Sequence, residues 1–293
     1  MKRYAFTMLE LIFVIIIMGI IGKFGVEFLA QSYKTFIQTT INNELHANSS
    51  NALQFIAKRL QYRIAASTIK RIGTSEIFVG VTEVVNNPET YNVIEWIGYD
   101  IDGYRGVNKP LWSGIIDLHP SVTTKTQLKT IDTNLTSVNE IINALSNTTS
   151  SIADAAIMFN AEDFSPQSFG WNGSSVLANQ ASSAIHPIKA NGDNFESNLG
   201  TDFSGMTIYN RYMLAWTAYA IVHDGSKLTL YYNYQPWKGD KFTDGTSQIL
   251  MENVDTFRIK TNPSGGIFSI ILCVNSDLIV GEEHSICKEK IIF

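Results

Sequence analysis

MKRYAFTMLELIFVIIIMGII (residues 1–21) decides how the rest of the chain is read. Lys2 and Arg3 make a short basic leader that ends in the small residue Ala5. Phe6, Thr7, Met8, Leu9 and Glu10 come next, and then an apolar, uncharged run from Leu11 to Ile21. A carboxylate at the edge of hydrocarbon costs about 2–4 kcal/mol or more unless it is paired, so an acid at this place is a functional-site hypothesis in itself. Residues 6–30 are predicted to be a membrane-spanning helix with Lys23 and Glu27 facing each other one turn apart. Gly19, Gly22 and Gly25 either let a neighbouring helix approach closely or let this one bend. No later stretch approaches the 18 or so apolar residues of a second span.

Three readings fit such a start. A secretory signal peptide needs a small-residue cut site after its apolar run; here the small residue precedes it, and Gly19 to Lys23 is a poor site. A plain signal anchor leaves Glu10 without a role. In the third, the leader is cut between Ala5 and Phe6, and the freed amine of Phe6 pairs with Glu10 of a neighbouring subunit inside an apolar bundle. Residues Lys2 to Leu11 resemble the cleavage and methylation motif of type IV pilins and of type II secretion pseudopilins. The resemblance covers about 25 residues. It departs at one position, since the family usually has Gly ahead of the cut and this chain has Ala5. It implies processing at Ala5–Phe6 by a prepilin peptidase, with assembly through Phe6 and Glu10. The implied partners are other pilins or pseudopilins, bound through the N-terminal helix, and an inner-membrane assembly platform. The implied location is a single-pass inner-membrane anchor with the head in the periplasm.

The remaining composition agrees with an exported head. Charged residues are 17% of the 293, and the net charge of −5 gives no reason to expect nucleic-acid binding. In an exported domain, the close pair Cys273 and Cys287 reads as one disulfide. A C-terminal disulfide loop is also common in the pilin family.

The fold expected is α+β: a long N-terminal helix packed on an antiparallel β-sheet head, pilin-like, with a loop-rich insertion. Residues 1–5 are the leader, 6–30 the membrane half of the helix, 31–66 its amphipathic half and 67–293 the head. Tyr33, Ile37, Ile41 and Leu45 form one apolar stripe, and Leu53, Ile56, Leu60 and Ile64 a second. The polar patch 46–51 between them predicts a bend, with Ser50 as a new N-cap. Strands are expected over 76–85, 92–101 and 114–118, with a turn at Asp102-Gly103. Residues 119–205 read as an insertion lying on the sheet, with few strands and one amphipathic helix over 126–146. Phe164, Phe169, Trp171 and Phe195 are expected to pin its loops to the head. A hairpin is expected over 211–223 and 227–235, then strands over 248–251, 254–260 and 267–274 and a short last one over 291–293.

Zinc-protease, phosphate-loop, dinucleotide and nucleophile-elbow motifs are all missing from the sequence. The resemblance of the N-terminus, with a head large for a major pilin, implies a non-enzymatic minor pilin or pseudopilin near a filament tip. The alternative is a filament-tip adhesin or ligand-binding module carried by the insertion. Calcium is the one candidate ligand, at Asp100/Asp102, at Asp193/Asn194/Glu196 through Asp202, or at Asp240/Asp244, although none has the spacing of a recognised site.

Overall fold

The computed structural model describes residues 7–160, 165–198, 202–262, 267–276 and 285–292. One helix, α1 (Met8–Gln61), comes first. The head then runs β1 (Ile69–Arg71), β2 (Phe78–Gly80), β3 (Val93–Tyr99), α2 (Ile101–Arg105), β4 (Ile116–Asp117) and β5 (Gln127–Thr130). Next come α3 (Leu135–Leu145), β6 (Ala156–Phe159), β7 (His186–Asn191), β8 (Asn194–Ser197) and β9 (Tyr212–Asp224). The chain closes with β10 (Lys227–Tyr234), β11 (Thr246–Glu252), β12 (Val254–Thr261), β13 (Phe268–Asn275) and β14 (Ser285–Ile292). Among the described residues all strand pairings are antiparallel, in an 11-stranded sheet and a separate β12-β13-β14 sheet.

The helix joins the two sheets. Leu53, Ile56, Ala57 and Leu60 are buried in one cluster with Trp96, Tyr219 and Ile221 of the large sheet and Phe268, Ile270 and Leu272 of the small one. Their spacing puts them on one helical face, and each large side chain so buried contributes about 1.5–3 kcal/mol. The helix continues unbroken through residues 46–51, which corrects the predicted bend. Ser50 is a mid-helix residue, and the Ser49 hydroxyl donates to the Leu45 carbonyl at 2.6 Å instead of freeing the backbone. The helix also stops short of Ala66. Beyond Gln61 the chain is captured by β3: the Ile64 amide donates to the Ile97 carbonyl at 2.8 Å, and Arg63 bridges to Gly98.

Strand β9 organises the large sheet. It pairs with β3 on one edge and divides the other between β10 and β6. Its register to β3 shifts after Gly98, so that Trp216 is bulged out between partners. The bulge reverses the alternation of side chains. Tyr212, Leu214 and Trp216 meet the α3 side chains Leu135, Val138 and Ile142, and beyond the bulge Tyr219 and Ile221 of the same face meet α1. Ala215, Ala218 and Ala220 face the opposite layer, which Phe169, Trp171, Trp237 and Phe242 cover from turns. Two helices thus share one face of one sheet.

Residues 119–205 are rich in loops, as expected, but they form part of the sheet and are not an insertion laid on it. Strands β5 to β8 belong to the sheet, and β6 pairs directly with β9. The helix expected over 126–146 is shorter. Asp132 sits at φ 45, and the Asn134 carboxamide accepts from the Ser137 amide at 3.0 Å to start α3. Ahead of that cap, Gln127–Thr130 is strand. The strand expected over 76–85 shrinks to Phe78–Gly80, because the Glu83 carboxylate accepts the Gly80 amide at 2.7 Å and closes a turn. The turn expected at Asp102-Gly103 lies inside α2, which Asp100 caps. The strand over 114–118 shortens to Ile116–Asp117. Phe169, Trp171 and Phe195 are buried as expected, while Phe164 lies outside the described residues.

Cys273 and Cys287 form the disulfide, as directly opposed residues of β13 and β14. Cys287 lies within the last strand and not ahead of it, because that strand begins at Ser285. Closing a loop of this size restricts the unfolded chain by about 3 kcal/mol. Replacing both cysteines by Ser is expected to lower unfolding stability by about 2–4 kcal/mol, read by urea denaturation under oxidising conditions. Leu60→Ala is expected to cost about 2–5 kcal/mol in the same assay, because Leu60 is completely buried between the two sheets.

Candidate functional site

From Thr7 to Phe36 every residue of α1 and its N-cap is exposed. At 1.5 Å per residue this part of the helix extends about 40 Å beyond the head, more than the roughly 30 Å of a bilayer's hydrocarbon core. It is the one helix among the described residues that is long and apolar enough to cross a membrane, and none of that window is buried within the chain. A side chain added at Gly19, Gly22 or Gly25 would meet no atom within 4 Å. Lys23 and Glu27 are 3.9 Å apart and half or more exposed, so they offset each other's charge. The burial of α1 begins with Ile37, Ile41 and Leu45 at half depth and is complete from Ala52 onward. Of the first predicted stripe, Tyr33 remains outside the head.

Glu10 lies in the first turn of this uncovered segment, where its amide donates to the Thr7 carbonyl at 3.1 Å. An acid in the first turn of a helix gains about 0.3–1 kcal/mol from the helix dipole, well below the cost of holding it in hydrocarbon. Its carboxylate has no ion-pair partner among the described residues. Ala5 and Phe6, the expected processing site, lie outside the described residues. The disulfide is in the head, so Glu10 and the cysteines are not brought together.

Of the carboxylates singled out for calcium, all but exposed Asp102 are engaged in other contacts. Asp100 accepts the Gly103 amide and the Trp112 indole N–H, both at 3.1 Å. Asp193 accepts the Leu135 amide at 3.2 Å, and Glu196 accepts Asn191 and pairs with Lys189. Asp202 closes a turn onto the Ser204 amide at 2.8 Å. Asp240 and Asp244 accept the amides of Gln235 and Lys241. Among the described residues no three His, Cys, Asp or Glu side chains gather to hold a metal.

Two buried polar groupings come together only in the fold. Arg71 of β1 and Glu95 of β3 form a buried ion pair, and the Tyr234 hydroxyl donates to the same carboxylate at 2.9 Å. Arg71 also donates to the carbonyls of Ser75 and Trp171, which ties the covering turns to the sheet. The available signal was Glu95 itself, a lone acid in the apolar strand VIEWIGY. The second grouping surrounds Asp100, at the end of β3 beside the bulge. Burial outweighs its hydrogen bonds and pushes its carboxyl up to about 6.

Comparison with protein-family models, with curated proteins and with solved structures finds no match to this chain in any of the three.

The raised carboxyl of Asp100 makes a pH prediction. Its folded state favours the protonated form, so its contribution to stability is complete below about pH 4 and is lost as pH rises through about 6. Buried His186, pushed down to about 4, acts in the opposite sense and loses stability as pH falls from about 6.5. Subtracting wild-type from Asp100→Asn denaturation curves between pH 4 and 7 isolates the first effect. The variant is expected to gain on the wild type as pH rises.

Proposed function

We propose that this chain is a non-enzymatic minor pilin or pseudopilin subunit, cut between Ala5 and Phe6 and assembled into a type IV pilus or type II secretion pseudopilus near its tip. The observation that carries the reading is the division of α1. Its C-terminal half is core of the head, while its N-terminal half is apolar, uncovered and marked by one carboxylate at Glu10.

The division supplies a mechanism. In a bilayer, lipid meets the apolar surface of the free subunit, and Glu10 bears the cost of an unpaired acid in a low-dielectric medium. Side-by-side packing with related helices offers the cationic amine of a neighbour's Phe6. Pairing removes most of that cost and fixes the axial register of the two helices, because the partner charge has one position. Gly19, Gly22 and Gly25 have no atoms over them, which leaves room for close helix approach. A prepilin peptidase would free the amine and an inner-membrane platform would present the neighbours. The head would face the periplasm, where its disulfide persists.

The buried aromatic residues of 119–205 give no platform for an adhesin reading of that region, since Phe169, Trp171 and Phe195 are core residues. The assembly reading is tested by Glu10→Ala and Glu10→Gln in cells that express the cognate filament. Incorporation, read by crosslinking to neighbouring subunits, is expected to fall at least tenfold, with membrane insertion and head stability unchanged. Incorporation at the wild-type level would refute it.

A further inference from the structure

The bulge in β9 leaves an opening on the sheet face that α1 and α3 share. The end of α1 covers this face on one side and the C-terminal end of α3, at Leu145, on the other. Between them lies a cleft of about 110 Å³. Drug-sized ligands occupy pockets of roughly 300–1,000 Å³, so this one has room for a single small ring partly inserted. Its walls are aromatic: Tyr62, Tyr99, Trp216, Tyr219 and Tyr232. Its polar groups are Arg59, Asp100 and Asp102. Gly98 on the floor is needed for this shape, because a Cβ there would lie 2.6 Å from the Tyr219 ring.

The charges around the cleft limit what it can hold. The Arg59 guanidinium lies 5.2 Å from the centre of the Tyr219 ring and donates to its hydroxyl at 3.0 Å. Arg105 lies 5.2 Å from the Tyr62 ring and bonds its hydroxyl. Cations from within the chain therefore already lie over the Tyr219 and Tyr62 rings, which among the described residues leaves Tyr99 and Tyr232 as the tyrosine rings of the cleft without one. An anion would meet Asp102 at the mouth and Asp100 below it. Two acids against two bases leave the cleft with no net preference for either sign. An aromatic or aliphatic plug would cover Asp102 and the remaining Arg59 donors with carbon and take from them the hydrogen bonds that water supplies.

What remains is a neutral ring with an apolar face and hydroxyls around its edge. The half-buried rings of Tyr99 and Tyr232 offer flat apolar surface. The Asp102 carboxylate accepts two hydroxyl protons, and the Arg59 guanidinium donates to hydroxyl oxygens. We propose that this cleft binds one hexopyranose residue of a saccharide, stacked on Tyr232 and held at its rim by Asp102 and Arg59. The site lies in the head and requires nothing of the Glu10 assembly mechanism, so either can fail alone.

The test uses the full chain in phosphatidylcholine nanodiscs and saturation-transfer NMR with free glucose, galactose, mannose and N-acetylglucosamine. Saturation is expected to pass to the ring protons of at least one sugar. Asp102→Ala and Tyr232→Ala are each expected to weaken binding at least tenfold, whereas Tyr99→Phe, which keeps the ring, is expected to bind within about threefold of wild type. Thermal unfolding of each variant separates a lost site from a lost fold, and the comparison uses variants that melt with the wild type. Absence of transfer to all four sugars overturns the proposal, as does transfer undiminished in both alanine variants. Transfer to N-acetyl-lysine amide or N-acetyl-tyrosine amide in place of the sugars would assign the cleft to a partner's side chain and also overturn it.

Discussion

The structure depends on the burial of one helical face between two sheets. Leu53, Ile56, Ala57 and Leu60 fill the space between the face of the large sheet around Trp96 and Tyr219 and the inner face of the small sheet around Phe268 and Leu272. Without them neither sheet face would have a cover, and the small sheet would be joined to the rest mainly through its connection from β11. The same constraint gives α1 its direction. A rigid helix fixed at its C-terminal end carries whatever lies at its N-terminal end to a defined place outside the head. Glu10 is therefore held at a set distance from the sheets by the geometry of the helix. Lys288 adds a polar clamp along this seam, bonding the His46 carbonyl and the Ser50 hydroxyl.

The second organising element is β9, which is long enough to serve two helices. Its bulge at Trp216 lets one face carry the α1 core and the α3 core in succession, while the small residues Ala215, Ala218 and Ala220 let the opposite layer pack close. The buried pair Arg71–Glu95 then holds that layer's turns. A buried ion pair adds little net stability, but removing one partner leaves an uncompensated charge in the core. This cluster therefore fixes which loops lie where more than it adds to overall stability.

Much of this was legible in the sequence where one strong local signal acted alone. The apolar run after Glu10, the second stripe from Leu53 to Leu60, the Asp224-Gly225 hairpin and the cysteine pair each appear close to where their patterns put them. Failures came where tertiary partners overrode local pattern. Leu128 is at helical spacing from Ile131 and Leu135, yet Gln127–Thr130 pairs with β8 and β4 and becomes strand. Residues 186–197 are polar at the surface and looked like loop, but two short strands there extend the sheet. The polar patch at 46–51 suggested a break, but the helix continues because Ser49 bonds back within it and Lys288 reaches across to it. Of the groups proposed to function, Glu10 stood out because acids are rare beside apolar runs. The cleft at Asp100 did not, because its rings come from the C-cap of α1 and from β3, β9 and β10 and are adjacent only in the fold.

The central claim is that the uncovered half of α1 is an assembly surface whose amine is made by processing. Mass spectrometry of the intact chain recovered from membranes tests it most directly. The account predicts a mature protein that begins at Phe6 and carries an N-methyl group. A chain that retains Met1, with the leader uncut, would contradict it.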